Sequence, residues 1–247
     1  MEAQKSIDRR NKEVPVSTAE RRFIFARIFE VIHKDDVAEG GYGAISKVAE
    51  MIGIPPNVRR GTKDVDPYIL GRIRTEALEG QGFKPCPYAA KEIPERFEDK
   101  ILFRRIKVNG RYIPVDFLNN DVFDHTVTVP GYNMKITNTQ NVIMKDALKI
   151  DGIKTISMPF IVINKAQAHI ECGIRHRNEG DPLKTDKHGK DAAFILRYIL
   201  KQTPEQFMEA NKELIRYVLK DEESKRTLLK VLKEVYYGNS RERLLRR

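Results

Sequence analysis

The chain has 247 residues, and its 45 Lys and Arg against 35 Asp and Glu give a formal net charge of +10 at pH 7. At about 150 residues per domain, such a length predicts one large domain or two small ones. The positive charge favours polyanionic partners such as nucleotides or nucleic acid, with an ordinary basic surface as the alternative interpretation. Two cysteines exclude a disulfide framework and paired-cysteine zinc fingers, and a reducing cytosol is the simplest compartment.

Segments that direct a chain to a membrane are not expected here. Residues 1–16 are charged and include no apolar signal region, and no run reaches the roughly 18 apolar residues that span a bilayer. We therefore expect a cytoplasmic protein that is neither secreted nor inserted in a membrane.

In the first part of the chain, apolar periodicity and turn residues predict helices. They are expected over roughly 17–33, 41–53 and 67–80, and Ser17 or Thr18 provides the N-cap of the first.

A β-hairpin is the clearest element of the central region. Leu102–Val108 and Arg111–Leu118 have strand-like composition, and Asn109-Gly110 between them is the two-residue sequence typical of a type I′ turn. Further short strands are predicted around residues 126–129, 134–137 and 142–144.

From Ser157 onwards the apolar residues recur at helical spacing, so the last third of the chain is predicted to be helical. Thr203-Pro204 has the N-cap and N1 residues of a helix start, and Asp221 with the two glutamates after it places negative charge at another. The layout predicts an α+β fold, with a small mixed sheet flanked by helices over 1–150 and a helical region over 151–247.

Three aspartates are the candidate functional residues with the clearest chemistry. Asp64 and Asp66 are two residues apart, so on an extended strand they share one face, and Asp116 interrupts the apolar second strand of the hairpin. Converging carboxylates repel one another unless a hard divalent cation binds them, and Mg²⁺ prefers such oxygen ligands. Two such ions would activate an attacking hydroxyl and stabilise a leaving pyrophosphate oxygen. The alternative interpretation is an Asp-x-Asp pair in a surface turn.

Upstream of these acids, Gly40-Gly41 leads into a predicted helix. Backbone N–H groups at a helix N-terminus bind phosphate well, although most glycine pairs of this kind are simple turns.

The order of these motifs resembles the nucleotidyltransferase superfamily. Gly40-Gly41 comes first, Arg60–Asp66 with the sequence RGTKDVD follows, and the strand residue Asp116 comes last. Polymerase beta and the CCA-adding enzymes share the fold of that superfamily. The resemblance is closest to the AbiEii-type nucleotidyltransferase toxins of toxin–antitoxin and phage-abortive systems. Lys165–Ala168 matches the Lys motif that begins the family's helical half, and Lys190–Ala193 matches the basic-Asp motif of its next helix.

The resemblance implies roles for individual residues. Asp64 and Asp66 would hold two Mg²⁺ ions, with Mn²⁺ as the alternative metal, and Asp116 would complete the second site as base or ligand. Lys165 would neutralise charge on the phosphate as it transfers. The residues implied in binding ATP or another NTP are Gly40, Gly41, Thr62, Lys63, Lys190 and Asp191, with Gly43 as the alternative glycine.

The implied activity is the metal-dependent transfer of NMP from an NTP to a hydroxyl acceptor, with release of pyrophosphate. Residues 1–150 would form the catalytic domain, and 151–247 a helical domain that completes the active-site cleft. The family and the basic charge favour an RNA 3′ end such as that of tRNA as acceptor, and a protein side chain is the alternative. An antitoxin protein is the implied partner. The competing hypotheses are a non-catalytic RNA- or nucleotide-binding protein of this fold and a structural role in a toxin–antitoxin complex.

Two other patterns carry weaker predictions. His169, Cys172 and His176 would share one face of a helix and could bind zinc, although a fourth ligand is not evident. The basic segments 176–190 and 241–247 could guide nucleic acid, or they could be ordinary solvated segments.

Overall fold

The computed structural model describes residues 14–59, 61–87, 100–119, 121–174 and 187–244, with side chains as far as residue 238. The strands, in chain order, are β1 (Val37–Glu39), β2 (Pro67–Ile69), β3 (Lys84–Pro85), β4 (Ile101–Val108), β5 (Arg111–Asn119), β6 (Thr126–Val129), β7 (Tyr132–Lys135), β8 (Leu148–Ile150) and β9 (Ile153–Thr155). The helices are α1 (Thr18–Phe29), α2 (Gly41–Met51), α3 (Thr75–Gly80), α4 (Thr139–Ile143), α5 (Met158–Ala168), α6 (Lys187–Phe194), α7 (Pro204–Ala210), α8 (Lys212–Val218) and α9 (Glu222–Leu244).

The chain forms two compact units that interleave along the sequence. The first unit comprises residues 1–122 and 146–156, and the second comprises residues 123–145 and 157–247. The sequence predicts a catalytic domain over 1–150 and a helical domain over 151–247. Because this division assigns a function to each part, it stays a prediction.

The first unit is built around a mixed sheet with the strand order β3-β4-β5-β2-β1-β9-β8. Strand β2 is parallel to β5 and antiparallel to β1, and β1 is in turn parallel to β9. The hairpin of β4 and β5 is its longest pairing, and this prediction is confirmed. Asn109 and Gly110 have φ values of 49° and 82°, which is the left-handed pair that a type I′ turn requires.

The hydrophobic core of this unit lies between the sheet and its helices. It includes one face of α1 and the buried side chains of β4 and β5, among them Ile24, Phe25, Ile113, Val115 and Phe117. Helix α1 begins where predicted, because the Ser17 hydroxyl and the Glu20 carboxylate cap each other's backbone N–H groups.

Two sequence predictions, one in each unit, are wrong. The segment 67–80 was expected to be one helix, but its first three residues form β2 and the helix begins only at Thr75. All three residues of β2 are buried, so an apolar run gives no alternation that would distinguish a strand from a helix. The strand expected around 142–144 is the helix α4 instead.

The second unit is mainly helical and contains the small antiparallel sheet of β6 and β7. Helices α5 and α6 each continue as a π-helical segment, over His169–Ile174 and Ile195–Leu200. Helix α7 begins at the predicted Thr203 cap, where Thr203 and Gln206 form a capping box. The Asp221 carboxylate accepts hydrogen bonds from the backbone and hydroxyl of Ser224 at the start of α9.

The predicted α+β class is confirmed by the mixed sheet flanked by helices and the helical region that follows it. Within the described part of the chain, no helix combines the length and the apolar character needed to cross a membrane.

Candidate metal centre

Two short backbone contacts bring Asp64, Asp66 and Asp116 to the same place. Val65 pairs with Val115 as a parallel bridge, and the Asp116 N–H donates to the Val65 carbonyl at 2.9 Å. Both valines are fully buried in the core. Because side chains alternate along extended backbone, the acids on either side of Val65 and the acid after Val115 point to the opposite face.

The three carboxylates converge on that face. One oxygen from each of Asp64, Asp66 and Asp116 lies within 4.8 Å of the others, and all three residues are half-buried. Three acidic oxygens with access to solvent match the donor set of a hard divalent cation such as Mg²⁺ or Mn²⁺, which keeps its remaining positions for water or substrate oxygens. The structure thus brings together the three acids that the sequence singled out, and their catalytic roles stay a prediction.

Thr62 and Lys63 precede the first acid and differ in exposure. Thr62 is 5% exposed, and its hydroxyl donates a 2.5 Å hydrogen bond to Asp64 Oδ1. This bond holds the Asp64 carboxylate in one orientation, so Thr62 acts on the acid cluster directly. Lys63 is exposed. Neither residue's predicted contact with a triphosphate is tested by the structure.

The glycines at the start of α2 lie against the acid cluster. The Gly40 N–H donates to the Asp66 carbonyl at 2.8 Å, so this N–H is engaged with the protein's own backbone. Gly41 has a φ of +56°, and a Cβ added there would overlap the Asp66 carboxylate. Gly43 instead adjoins the side chains of Arg21 and Glu39. Phosphate binding by Gly40 and Gly41 stays a prediction.

A buried ion network beneath this glycine segment was missed by the sequence analysis. Glu39, at the end of β1, is fully buried and forms ion pairs with Arg21 of α1 and with Lys47 of α2, the latter at 2.7 Å. The three side chains fix both helices to the strand that leads into Gly40-Gly41. The sequence holds one signal of this network, because the charged residue Glu39 directly follows the apolar residues Val37 and Ala38. The partners of Glu39, however, are distant in sequence.

The predicted catalytic residue Lys165 and the remaining predicted nucleotide-binding residues, Lys190 and Asp191, lie in the second unit. Lys165 on α5 is 7% exposed, and its Nζ atom lies 3.2 Å from Asp191 Oδ2 on α6. Asp191 is 2% exposed, whereas the adjacent Lys190 is exposed. The structure therefore pairs two residues that the sequence assigned separate roles, and the catalytic role of Lys165 and the nucleotide-binding role of Asp191 stay predictions.

The proposed zinc ligands are only partly described. His169 is buried and Cys172 is exposed in the π-helical segment, and His176 lies outside the described residues, as does the basic segment as far as 186. Side chains of the C-terminal basic segment 241–247 also lie outside the described part. Among the described residues, the three aspartates form the group of ligands with metal-binding geometry.

Comparison with known proteins gives two similar solved structures. No protein-family model matches the chain, and no curated protein matches it significantly. The structure of JHP933 from Helicobacter pylori is similar with a TM-score of 0.33 and 10% identity, over 87% of each chain. A second H. pylori structure, provisionally assigned as a nucleotidyltransferase, is similar with a TM-score of 0.32 and 12% identity, over 90% of this chain and 93% of that chain.

Proposed function

We propose that the protein is a metal-dependent nucleotidyltransferase, which transfers NMP from an NTP to a hydroxyl acceptor and releases pyrophosphate. The observation that carries this proposal is the convergence of Asp64, Asp66 and Asp116 within 4.8 Å on one face of the sheet. The resemblance of the Arg60–Asp66 motif to the superfamily supports the same assignment, and the AbiEii-type toxins are the subgroup that we propose.

The cluster suits phosphoryl transfer because such a reaction needs positioned charge more than covalent chemistry. Bound Mg²⁺ would supply positive charge to the triphosphate and to the acceptor hydroxyl. Asp64, held by Thr62, and Asp66, held against Gly41, would fix the metal ligands from one segment. Asp116 reaches the same point from β5, where it would be the third ligand or accept the proton of the acceptor hydroxyl.

An RNA 3′ end, for example that of tRNA, is the acceptor that we propose. The net charge of +10 supports a polyanionic partner, because cations that neutralise phosphates release counterions. Activity as a toxin, with an antitoxin protein as partner, belongs to the same proposal. Lys165 and Lys190 are the proposed phosphate-neutralising and nucleotide-side cations of the second unit.

The test incubates the purified chain with Mg²⁺, total tRNA and each NTP labelled at the α-phosphate. Label is expected on RNA, and Asp64→Asn and Asp116→Asn are expected to lower the rate by roughly a hundredfold or more. Asp146→Asn is the matched control, since Asp146 is an exposed acid of the same unit and lies outside the acid cluster. Its rate should equal that of the wild type.

Two results would contradict the proposal. Full transfer activity in both cluster variants would show that the aspartates do not act in the reaction. Absence of label from both RNA and protein, with unimpaired RNA binding, would favour the non-catalytic binding protein. Label on protein would retain the transferase and replace the acceptor.

A further inference from the structure

One face of the hairpin continues from the acid cluster as a row of cationic and aromatic side chains. In the β4–β5 register Phe103 lies opposite Asp116, Arg105 opposite Pro114, and Lys107 opposite Tyr112. Directly opposed residues share a face, so all of these side chains are on the same side of the sheet as the acids. Lys84 of β3 lies opposite Arg105 and extends the row to the edge strand. We call Lys84, Phe103, Arg105, Lys107 and Tyr112 the hairpin face.

The two sides of the hairpin differ in burial towards its turn. Ile106, Ile113 and Val115 on the core side are at most 3% exposed. On the hairpin face, the aromatic residues and Arg105 are half-buried, and the two lysines are exposed. The open side of the hairpin therefore presents three cations and two aromatic rings to solvent, next to the acid cluster.

The hairpin face carries positive charge that the described protein does not neutralise. Arg105, Lys107 and Lys84 form no ion pair with the described residues. The Arg105 guanidinium lies over the Tyr112 ring, with 4.4 Å between its Cζ atom and the ring centroid. This cation–π contact ties the guanidinium to the Tyr112 ring.

The order of charges along the face has a direction. At about 3.3 Å per residue, Lys107 lies about 13 Å along β4 from Phe103, which adjoins Asp116. One end of the row is therefore strongly acidic and the other strongly basic. The phosphates of a nucleic-acid strand suit the basic end, whereas the 3′-terminal hydroxyl carries no phosphate and suits the acidic end.

We propose that the hairpin face binds the single-stranded 3′ end of the RNA acceptor, with its backbone along Lys84, Arg105 and Lys107 and its last bases against Phe103 and Tyr112. This inference rests on the proposed function, because it names the surface that delivers the acceptor to the acid cluster. Cations that follow the backbone and aromatic rings on which bases stack are the general means of binding single strands without sequence preference.

The test measures binding and transfer separately. Binding of a fluorescent single-stranded oligoribonucleotide is followed by anisotropy at several salt concentrations, with the Asp64→Asn chain as background so that the probe is not extended. Arg105→Glu with Lys107→Glu is expected to weaken binding roughly tenfold or more and to reduce the salt slope by about 1.4, at about 0.7 per lost phosphate contact. Tyr112→Ala is expected to weaken binding roughly fivefold or more without changing the salt slope.

The matched control is Lys149→Glu on β8, the edge strand at the opposite end of the same sheet. Lys149 is exposed, and β8 lies five strands from β4, about 24 Å at the usual strand spacing. This variant changes the net charge in the same direction as each hairpin substitution. It should bind the oligoribonucleotide with the affinity and the salt slope of the Asp64→Asn background, apart from a small uniform loss.

The outcomes distinguish this inference from the proposed function. Equal affinity of the hairpin variants and the control would overturn the inference, whether or not the wild type transfers nucleotide. Selective loss of RNA affinity, together with a raised RNA KM and an unchanged NTP KM in the active background, would support it. Transfer by the wild type to protein, with none to RNA, would overturn the assignment of this face to an RNA acceptor while leaving the transferase in place.

Discussion

At Gly41 the main chain and the Asp66 carboxylate occupy the space that any side chain would need. The backbone has a φ of +56°, which disfavours an L side chain, and an added Cβ would overlap the carboxylate. We expect Gly41→Ala to destabilise the chain by about 2–5 kcal/mol and to displace Asp66 from the cluster. Urea denaturation and Mn²⁺ titration measure the two effects.

Gly53 is a control for the backbone part of this effect. It also has a positive φ, of +77°, but an added Cβ there would meet nothing within 4 Å. Gly53→Ala should therefore cost about 1–2 kcal/mol and leave Mn²⁺ affinity unchanged. Equal losses of stability and equal metal affinity in the two variants would contradict the argument that Gly41 makes room for the acid.

Arg111 connects the start of α1 to the beginning of β5. Its guanidinium donates two hydrogen bonds to the Glu20 carboxylate, at 2.8 and 2.7 Å, and two more to the carbonyls of Val14 and Pro15. Hydrogen bonds from Arg111 lower the pKa of Glu20 to about 2, from an ordinary value of 4.5. The ionised carboxylate is thus bound more tightly in the folded chain than in the unfolded one.

The sign of the pH dependence follows from the lowered pKa of Glu20. The stabilisation, on the order of 3 kcal/mol, is fully present above pH 4.5 and is lost as the pH falls towards 2. Arg111→Met should remove the largest part of it and leave the hydrogen bonds from Ser17, so the difference in unfolding free energy between wild type and variant should be large at pH 7 and shrink below pH 4.5. Urea denaturation at several pH values measures this difference.

Arg22→Met is the matched control on α1. Arg22 pairs with Asp151 at 3.1 Å, but the two side chains are 60% and 39% exposed, and exposed pairs contribute at most about 1 kcal/mol. The loss of unfolding free energy in Arg111→Met could prove equally small or independent of pH. Either result would show that the buried ion pair of Glu20 and Arg111 does not stabilise the fold more than an exposed pair.

Elements with strong local signals were predictable from the sequence. The hairpin follows from two apolar runs around Asn109-Gly110, and α7 follows from the cap at Thr203. The short strands β1 and β2 were not, because three-residue segments have no measurable period and are stabilised by neighbours in the sheet. Their positions depend on pairing between residues far apart in sequence, such as Ala38 with Tyr68.

For the molecule as a whole, the sequence predicted which acids come together but not how they are held. Spacing placed Asp64 and Asp66 on one face, and the apolar neighbours of Asp116 made that acid conspicuous. Their convergence depends on the Val65–Val115 bridge, and the glycine segment depends on the buried Glu39 network. Those contacts join separate elements, so no local pattern encodes them.

The acid cluster also links metal binding to the stability of the whole fold. Three carboxylates within 4.8 Å repel one another by about 1–4 kcal/mol per pair without a cation. Mg²⁺ that binds only the folded chain should raise the free energy of unfolding by about 2.7 kcal/mol at a hundred times its Kd, and relief of this repulsion is part of that binding energy. We therefore expect millimolar MgCl2 to raise the urea midpoint of the wild type.

Asp116→Asn should change both the stability of the chain without Mg²⁺ and the response of its urea midpoint to MgCl2. Without Mg²⁺ the variant should be as stable as the wild type or more stable, because one repelling charge is gone, and its response to MgCl2 should be largely lost. Asp146→Asn, an exposed acid outside the cluster, should keep the wild-type midpoint and its Mg²⁺ response. A wild type that does not respond to Mg²⁺, or an Asp116→Asn chain that is less stable in its absence, would show that the three acids are held together by the protein alone.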